Sequence, residues 1–128
     1  MNVALITGSR GYHDPFPVQK VLATVELVVV GCARSGADKH AREWAEAFGC
    51  MPPRVFVAPW SSGPGGSFNP RAGFDRNQQM VDYCLELALY DGLYVVCHAF
   101  WDQRSGGTRD CMDRARRAGL RVDLHSPT

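Results

Sequence analysis

The order of apolar runs and amphipathic stretches predicts an α/β protein: a Rossmann-like three-layer fold with a mostly parallel five-stranded sheet. Three observations carry this expectation. Short, uninterrupted apolar runs recur along the chain, as strands buried on both faces require. Helical patterns alternate with them, which predicts parallel strands with helices on both sides of the sheet. The 128 residues suffice for one domain with a real core, spanning 1–128, and are too few for two.

The elements follow in order. Residues 3–7 (VALIT) form an apolar run stopped by Gly8 and read as a buried first strand. Gly8-Ser9-Arg10-Gly11 is a loop. Pro15 and Pro17 bound the start of a short helix over about 18–26, since proline is tolerated in a first turn and poor further in. Residues 27–31 (LVVVG) are the second strand, and 32–36 the next loop. A helix then runs to about Phe48, with Ala37, Ala41, Trp44, Ala45 and Phe48 as its apolar stripe and Gly49 as its stop. Residues 54–58 are the third strand. Residues 59–73 hold three prolines and four glycines and form a long loop, of the kind that is functional or mobile in a compact domain. The longest helix covers 74–90, with Met80, Val81, Cys84, Leu87 and Ala88 facing the core. Residues 93–98 are the fourth strand, 121–124 the fifth, and 125–128 a tail.

Composition sets bounds on function. Hydrophobic residues make up 45% of the chain, so it is globular rather than a disordered tail. The net charge is +1, which removes any bulk electrostatic case for nucleic acid. The five cysteines (32, 50, 84, 97 and 111) are odd in number and contain no CxxC, which suits reduced thiols in a cytoplasmic protein. The start, MNVALITGSR, has neither a basic leader nor a long apolar stretch, so no signal peptide or membrane span is expected.

Residues 101–119, WDQRSGGTRDCMDRARRAG, are the chemical focus. A strand reaches a polar loop, then two glycines, a threonine and a basic helix. Unpaired N–H groups and the positive end of the helix dipole suit an anion there, phosphate above all. Gly106 and Gly107 would let a ligand approach the backbone. The plainer alternative is an ordinary turn with Thr108 as the N-cap. Three other strand-end segments carry comparable groups: Gly8, Ser9 and Arg10; Gly31, Arg34, Ser35, Gly36 and Asp38; and Arg76 with Asn77 early in the long helix. Each also has a plain reading. Ser35 with Asp38 matches a capping box, Asn77 suits a satisfied core amide, and Arg10 a solvated side chain. Their meeting at one sheet edge is what favours a ligand, because parallel sheets bind ligands beyond the carboxyl ends of their strands, where the strand order reverses.

TGSR after the first strand, GCARSGADKHAREWA around the second, APW after the third, RNxxM on the long helix and GGTxD before the last helix, in that order over nearly the whole chain, resemble the SLOG superfamily. Within it the likeness is to the small single-domain group often called YspA or cpYpsA-related. The resemblance implies a Rossmann-like fold that binds nucleotides or nucleotide-derived ligands, and a homo-oligomer. It implies kinship with LOG phosphoribohydrolases, which release a base from a nucleoside monophosphate, with sensor domains for NAD-derived signals in anti-phage systems, and with the DNA-processing protein of natural transformation. It also implies that Gly8, Ser9, Arg34, Gly36, Gly106, Gly107 and Thr108 hold phosphate and that Arg76 and Asn77 contact phosphate or ribose. The chain departs from the LOG pattern PGGxGTxxE: its run is RSGGTRDCM, with Cys111 where the glutamate would stand. Asp110, one residue earlier and about 100° around the helix, is the remaining candidate catalytic carboxylate, facing a ribose or serving as the acid. The expectation is therefore a module that senses or sequesters a nucleotide. An N-glycosidase and single-stranded DNA binding are the alternatives.

Other chemistries rank lower. Cys97 and His98 are neighbours on a strand and point to opposite faces, so they form no dyad. Cys111 reads as a buried inert thiol. No His/Cys spacing matches a zinc site, and neither metal nor cofactor is expected. Arg114, Arg116, Arg117 and Arg121 read as a solvated helix end. Trp60, Phe68, Phe74 and Trp101 would either stack on a base or form a dimer contact.

Overall fold

The computed structural model describes residues 1–126. Its sheet has the order β3-β2-β1-β4-β5, from β1 (Asn2–Gly8), β2 (Leu27–Gly31), β3 (Arg54–Phe56), β4 (Tyr94–Phe100) and β5 (Arg121–His125). Every pairing is parallel, with Val3 opposite Leu27 and Val95 and Ile6 opposite Val30 and His98. The helices are α1 (Phe16–Leu22), α2 (Gly36–Phe48), α3 (Ala72–Tyr90) and α4 (Gly106–Arg117).

Alternation along the strands divides the core into two layers. Val3, Leu5, Val29, Val95 and Cys97 face Met80, Val81 and Cys84 of α3 and Cys111 and Ala115 of α4. Ala4, Ile6, Val28, Val30 and Phe100 face Val18 and Leu22 of α1 and Ala37, Ala41 and Ala45 of α2. The predicted three-layer α/β fold is thus the observed one. From β1 the chain steps outward through β2 to β3, then returns across the sheet to β4, which pairs with the other side of β1. The strand order reverses between β1 and β4, and that reversal opens a crevice above their carboxyl ends.

Several boundaries move for local reasons. Helix α1 ends at Leu22, not Glu26, because the N–H of Glu26 donates to the Asn2 carbonyl and its carboxylate accepts from the Asn2 N–H at 2.7 Å. That exchange commits residue 26 to the lead into β2. Strand β3 keeps only three of its five expected residues. Helix α3 starts two residues early: the Asn69 side chain accepts from the Arg71 N–H and its carbonyl from the Ala72 N–H, a turn that launches the helix and takes Gly73 out of the loop. Strand β4 runs on to Phe100, whose carbonyl accepts from the Ser9 N–H. Strand β5 includes His125, and of the expected tail Pro127 and Thr128 lie outside the described residues. Among the described residues no helix is long and apolar enough to cross a membrane.

Candidate functional site

A cavity of about 740 Å³ lies over the reversal point. Its walls are the end of β1 with Arg10, the 32–35 loop, Asp38 of α2, Trp60 and Pro70 of the long loop, the first turns of α3, and the start of α4. The volume falls within the range of small-molecule sites.

Two helices begin at this cavity. Helix α4 is capped by Ser105, whose Oγ accepts from the Thr108 N–H and hydroxyl, both at 3.3 Å. Thr108 is therefore the third helical residue and not the cap. The loop before it is braced twice. Asp102 accepts from the N–H groups of Arg104 and Ser105, at 2.8 and 2.9 Å, and these donors hold its carboxyl below the usual range. Trp101 Nε1 donates to the Ser105 carbonyl at 2.9 Å, so this indole is bolted to its own loop rather than offered to a base. The N–H groups of Gly106 and Gly107 have no partner among the described residues. No acidic residue stands in the first turn, and a Cβ added at Gly106 would meet nothing within 4 Å. The positive end of α4 is open.

Helix α2 starts differently. Gly36 has a φ of +79°, and a Cβ there would overlap the Ser9 carbonyl. The helix start is thereby packed against the loop after β1. Ser9 is buried and its hydroxyl accepts from the Asp102 N–H at 3.0 Å, joining two strand ends 93 residues apart. Ser35 makes no side-chain cap, so the capping box with Asp38 does not form. Asp38 is instead buried at 6% exposure against the cavity, and its Oδ1 has no hydrogen-bond partner. Burial pushes its carboxyl up to about 7, against the opposing pull of Arg76, Arg42, the Gly8 N–H and Arg10.

Helix α3 supplies the third wall. The Arg76 guanidinium lies over the backbone of Gly31, where a Cβ would overlap it, and its Nε donates to Asn77 Oδ1 at 3.1 Å. The Asn77 amide in turn donates to the Gly107 carbonyl and to Asp110 Oδ2, each at 3.1 Å. Asp110 also pairs with Arg114 Nε at 2.8 Å, and Arg114 reaches Gln78 on α3 at 2.9 Å. Asp110 thus latches α4 to α3 behind Asn77 and does not line the cavity. From the long loop Trp60 stacks on Phe68, with ring centroids 5.9 Å apart and 6° between planes, and both Trp60 and Phe74 of α3 line the cavity.

The other residues singled out in the sequence have structural partners. Cys97 packs in the core with Cys84 and Cys111, while His98 lies against His125 at 3.1 Å, so no thiol meets an imidazole base. Arg114, Arg116 and Arg121 have carboxylate partners in Asp110, Asp113 and Asp123. Among the described residues no group of His, Cys, Asp or Glu is placed to hold a metal.

No family model and no solved structure matches this chain. It is 35% identical over 133 residues to the Gene 61 protein of Mycobacterium phage D29, a match covering 95% of this chain and 94% of the relative. The chain belongs to the Gene 61 protein family. The match spans nearly the whole of both chains.

In this Gene 61 family member the cavity brings together Gly8, Arg10, Arg34, Ser35, Asp38, Arg76, Asn77, Gly107 and Thr108 of the expected set. Ser9, Gly31, Gly36, Gly106 and Asp110 do not line it. Ser9 joins two loops, Gly31 seats Arg76, Gly36 packs on the loop after β1, and Asp110 is the latch. Gly106 lies at the open helix start just outside the wall. Cys32, Ala33, Pro70 and Ser105 line the cavity without having been expected. Only Ser105 had a readable signal, a cap-forming serine directly before two glycines.

Proposed function

We propose that this protein binds a phosphorylated nucleoside or an NAD-derived nucleotide, as a sensor or sequestering module of SLOG type. The observation that carries this reading is the open start of α4. Its unpartnered Gly106 and Gly107 N–H groups stand at a cavity that Arg10, Arg34 and Arg76 also line. Free helix-start donors, guanidinium groups and a position over the strand reversal together suit a phosphate. Trp60 and Phe74, which also line the cavity, offer apolar faces for a base. The order of sequence motifs resembling SLOG proteins supports the same reading. Base release is the weaker reading, since the position of the LOG glutamate is the buried Cys111 and Asp110 is engaged by Asn77 and Arg114.

Calorimetry of the purified protein against AMP, ADP-ribose, NAD and cyclic dinucleotides, followed by chromatography of the mixtures, tests this. Binding is expected for at least one of them, with the ligand recovered intact and affinity lost on Arg34→Ala or Gly107→Val. Binding to none overturns the reading. Release of free base would replace it with an N-glycosidase.

A further inference from the structure

The cavity has one feature that a phosphate site does not require. Asp38 is a carboxylate at 6% exposure on the cavity wall, and its Oδ1 meets no donor among the described residues. A buried acceptor without a partner is costly to a fold, more so when charged, and native structures rarely keep one without a use. We propose that Asp38 receives a ribose hydroxyl, so that the site takes ribonucleotides in preference to nucleotides lacking the sugar hydroxyls. This rests on the nucleotide reading above and adds the sugar to it.

The order of groups along the sheet edge argues for a sugar at this point. The open start of α4 follows β4, Asp38 lies beside Gly8 at the end of β1, and Trp60 lies beyond β3. Neighbouring strands are ~4.8 Å apart. Moving from β4 through β1 and β2 to β3, the cavity therefore presents the free N–H groups of α4, then the Asp38 acceptor with Arg10 and Arg34 of the β1 and β2 loops, then an aromatic face. A nucleotide carries its complements in the same order: phosphate, sugar, base.

The surroundings of Asp38 select the kind of donor. Arg76 from α3, Arg42 from α2 and Arg10 from the loop after β1 all act on it, and the Gly8 N–H stands beside it. A cationic donor would meet three guanidinium groups. A neutral hydroxyl meets no such repulsion, and it finds a charged acceptor above about pH 7. Asp38 also stands in the first turn of α2. Its charge compensates that helix's positive end and leaves α4 as the better seat for phosphate. The raised carboxyl is consistent with an acceptor that lacks its donor in the free protein.

Titration calorimetry at pH 8 with AMP and 2′,3′-dideoxy-AMP, on wild type and Asp38→Asn, decides the matter. Asparagine keeps the size of the side chain, and Asp38→Ser serves as a second variant, with folding checked by circular dichroism. The wild type is expected to bind AMP at least ~10-fold more tightly than the dideoxy analogue, as a hydrogen bond to a charged acceptor would give. In either variant that ratio should fall to within ~3-fold of unity, because only the pairing of hydroxyl with carboxylate is removed. Equal wild-type affinities, or a ratio that survives in both variants, overturn the role of Asp38 and leave nucleotide binding standing. A wild type that binds neither AMP nor its analogue overturns the assignment, and silence from the other nucleotides as well overturns the reading beneath it.

Discussion

Helices α2 and α4 begin at the same cavity with similar sequences, Ser-Gly-Ala-Asp and Ser-Gly-Gly-Thr, yet the two starts are put to opposite uses. At α2 the protein fills the site itself: Gly36 is pressed onto the backbone after β1, and the Asp38 carboxylate occupies the first turn. At α4 the serine caps, the glycines meet open space, and two N–H groups are left free. A glycine-rich helix start is thus no indicator of a ligand by itself. What distinguishes the two is whether the missing Cβ makes room for the protein or for something else.

The largest expected effect breaks α2. Gly36→Val forces a β-branched residue to a φ of +79° against the Ser9 carbonyl and should cost ~4 kcal/mol or more, read as a loss of the urea midpoint. A change under 1 kcal/mol would mean that the packing of α2 on the loop is not as tight as described.

Next comes the carboxylate. Its folded value lies above the unfolded one, so its favourable contribution is complete below about 3.8 and is lost as pH rises through about 7. Asp38→Asn escapes that loss. It should raise stability by on the order of 4 kcal/mol at pH 8 and change it little at pH 4. Thermal melts of both proteins across that range check it, and a variant no more stable at pH 8 would contradict a costly buried charge. The groups opposing the shift are Arg76, Arg42, the Gly8 N–H and Arg10.

At α4 the effects move from folding to binding. Gly107→Val should alter stability by no more than about 1 kcal/mol, since only Ser105 Oγ lies near its Cβ position, at 3.9 Å. It should weaken nucleotide affinity at least ~10-fold in calorimetry. Equal losses of stability from Gly36→Val and Gly107→Val would erase the contrast between the helices. The smallest effect belongs to the cap: Ser105→Ala should cost ~1 kcal/mol in chemical denaturation, through the lost bond to the Thr108 N–H at 3.3 Å.

The sheet was legible because strands buried on both faces leave apolar runs that little else produces. The run 27–31 matches β2 residue for residue. Ends were less legible where a distant or side-chain partner decides them, as Asn2 does for Glu26 and Asn69 for the start of α3. The location of the cavity was legible for the same reason as the sheet, since alternating elements place every strand's carboxyl end at one edge. Individual roles were not. Ser9 differs from a phosphate ligand only through its bond to the Asp102 N–H, Gly31 only through the guanidinium resting on it, and Asp110 only through its contact with Asn77 across α3. Local spacing also suggests a capping box for Asp38, and burial against the cavity, a tertiary fact, overrides it.

The placement of the five thiols gives the fold its own clock. Cys32 and Cys50 are exposed, whereas Cys84, Cys97 and Cys111 are sealed in one core layer. A thiol-reactive dye should modify two sites at once and the other three only when the domain opens, so the slow phase reports how often the sheet and its α3–α4 cover part company. Cys32 also sits on the wall of the cavity and Cys50 does not. The relative labelling of these two positions would turn the unaltered protein into a gauge of its own occupancy.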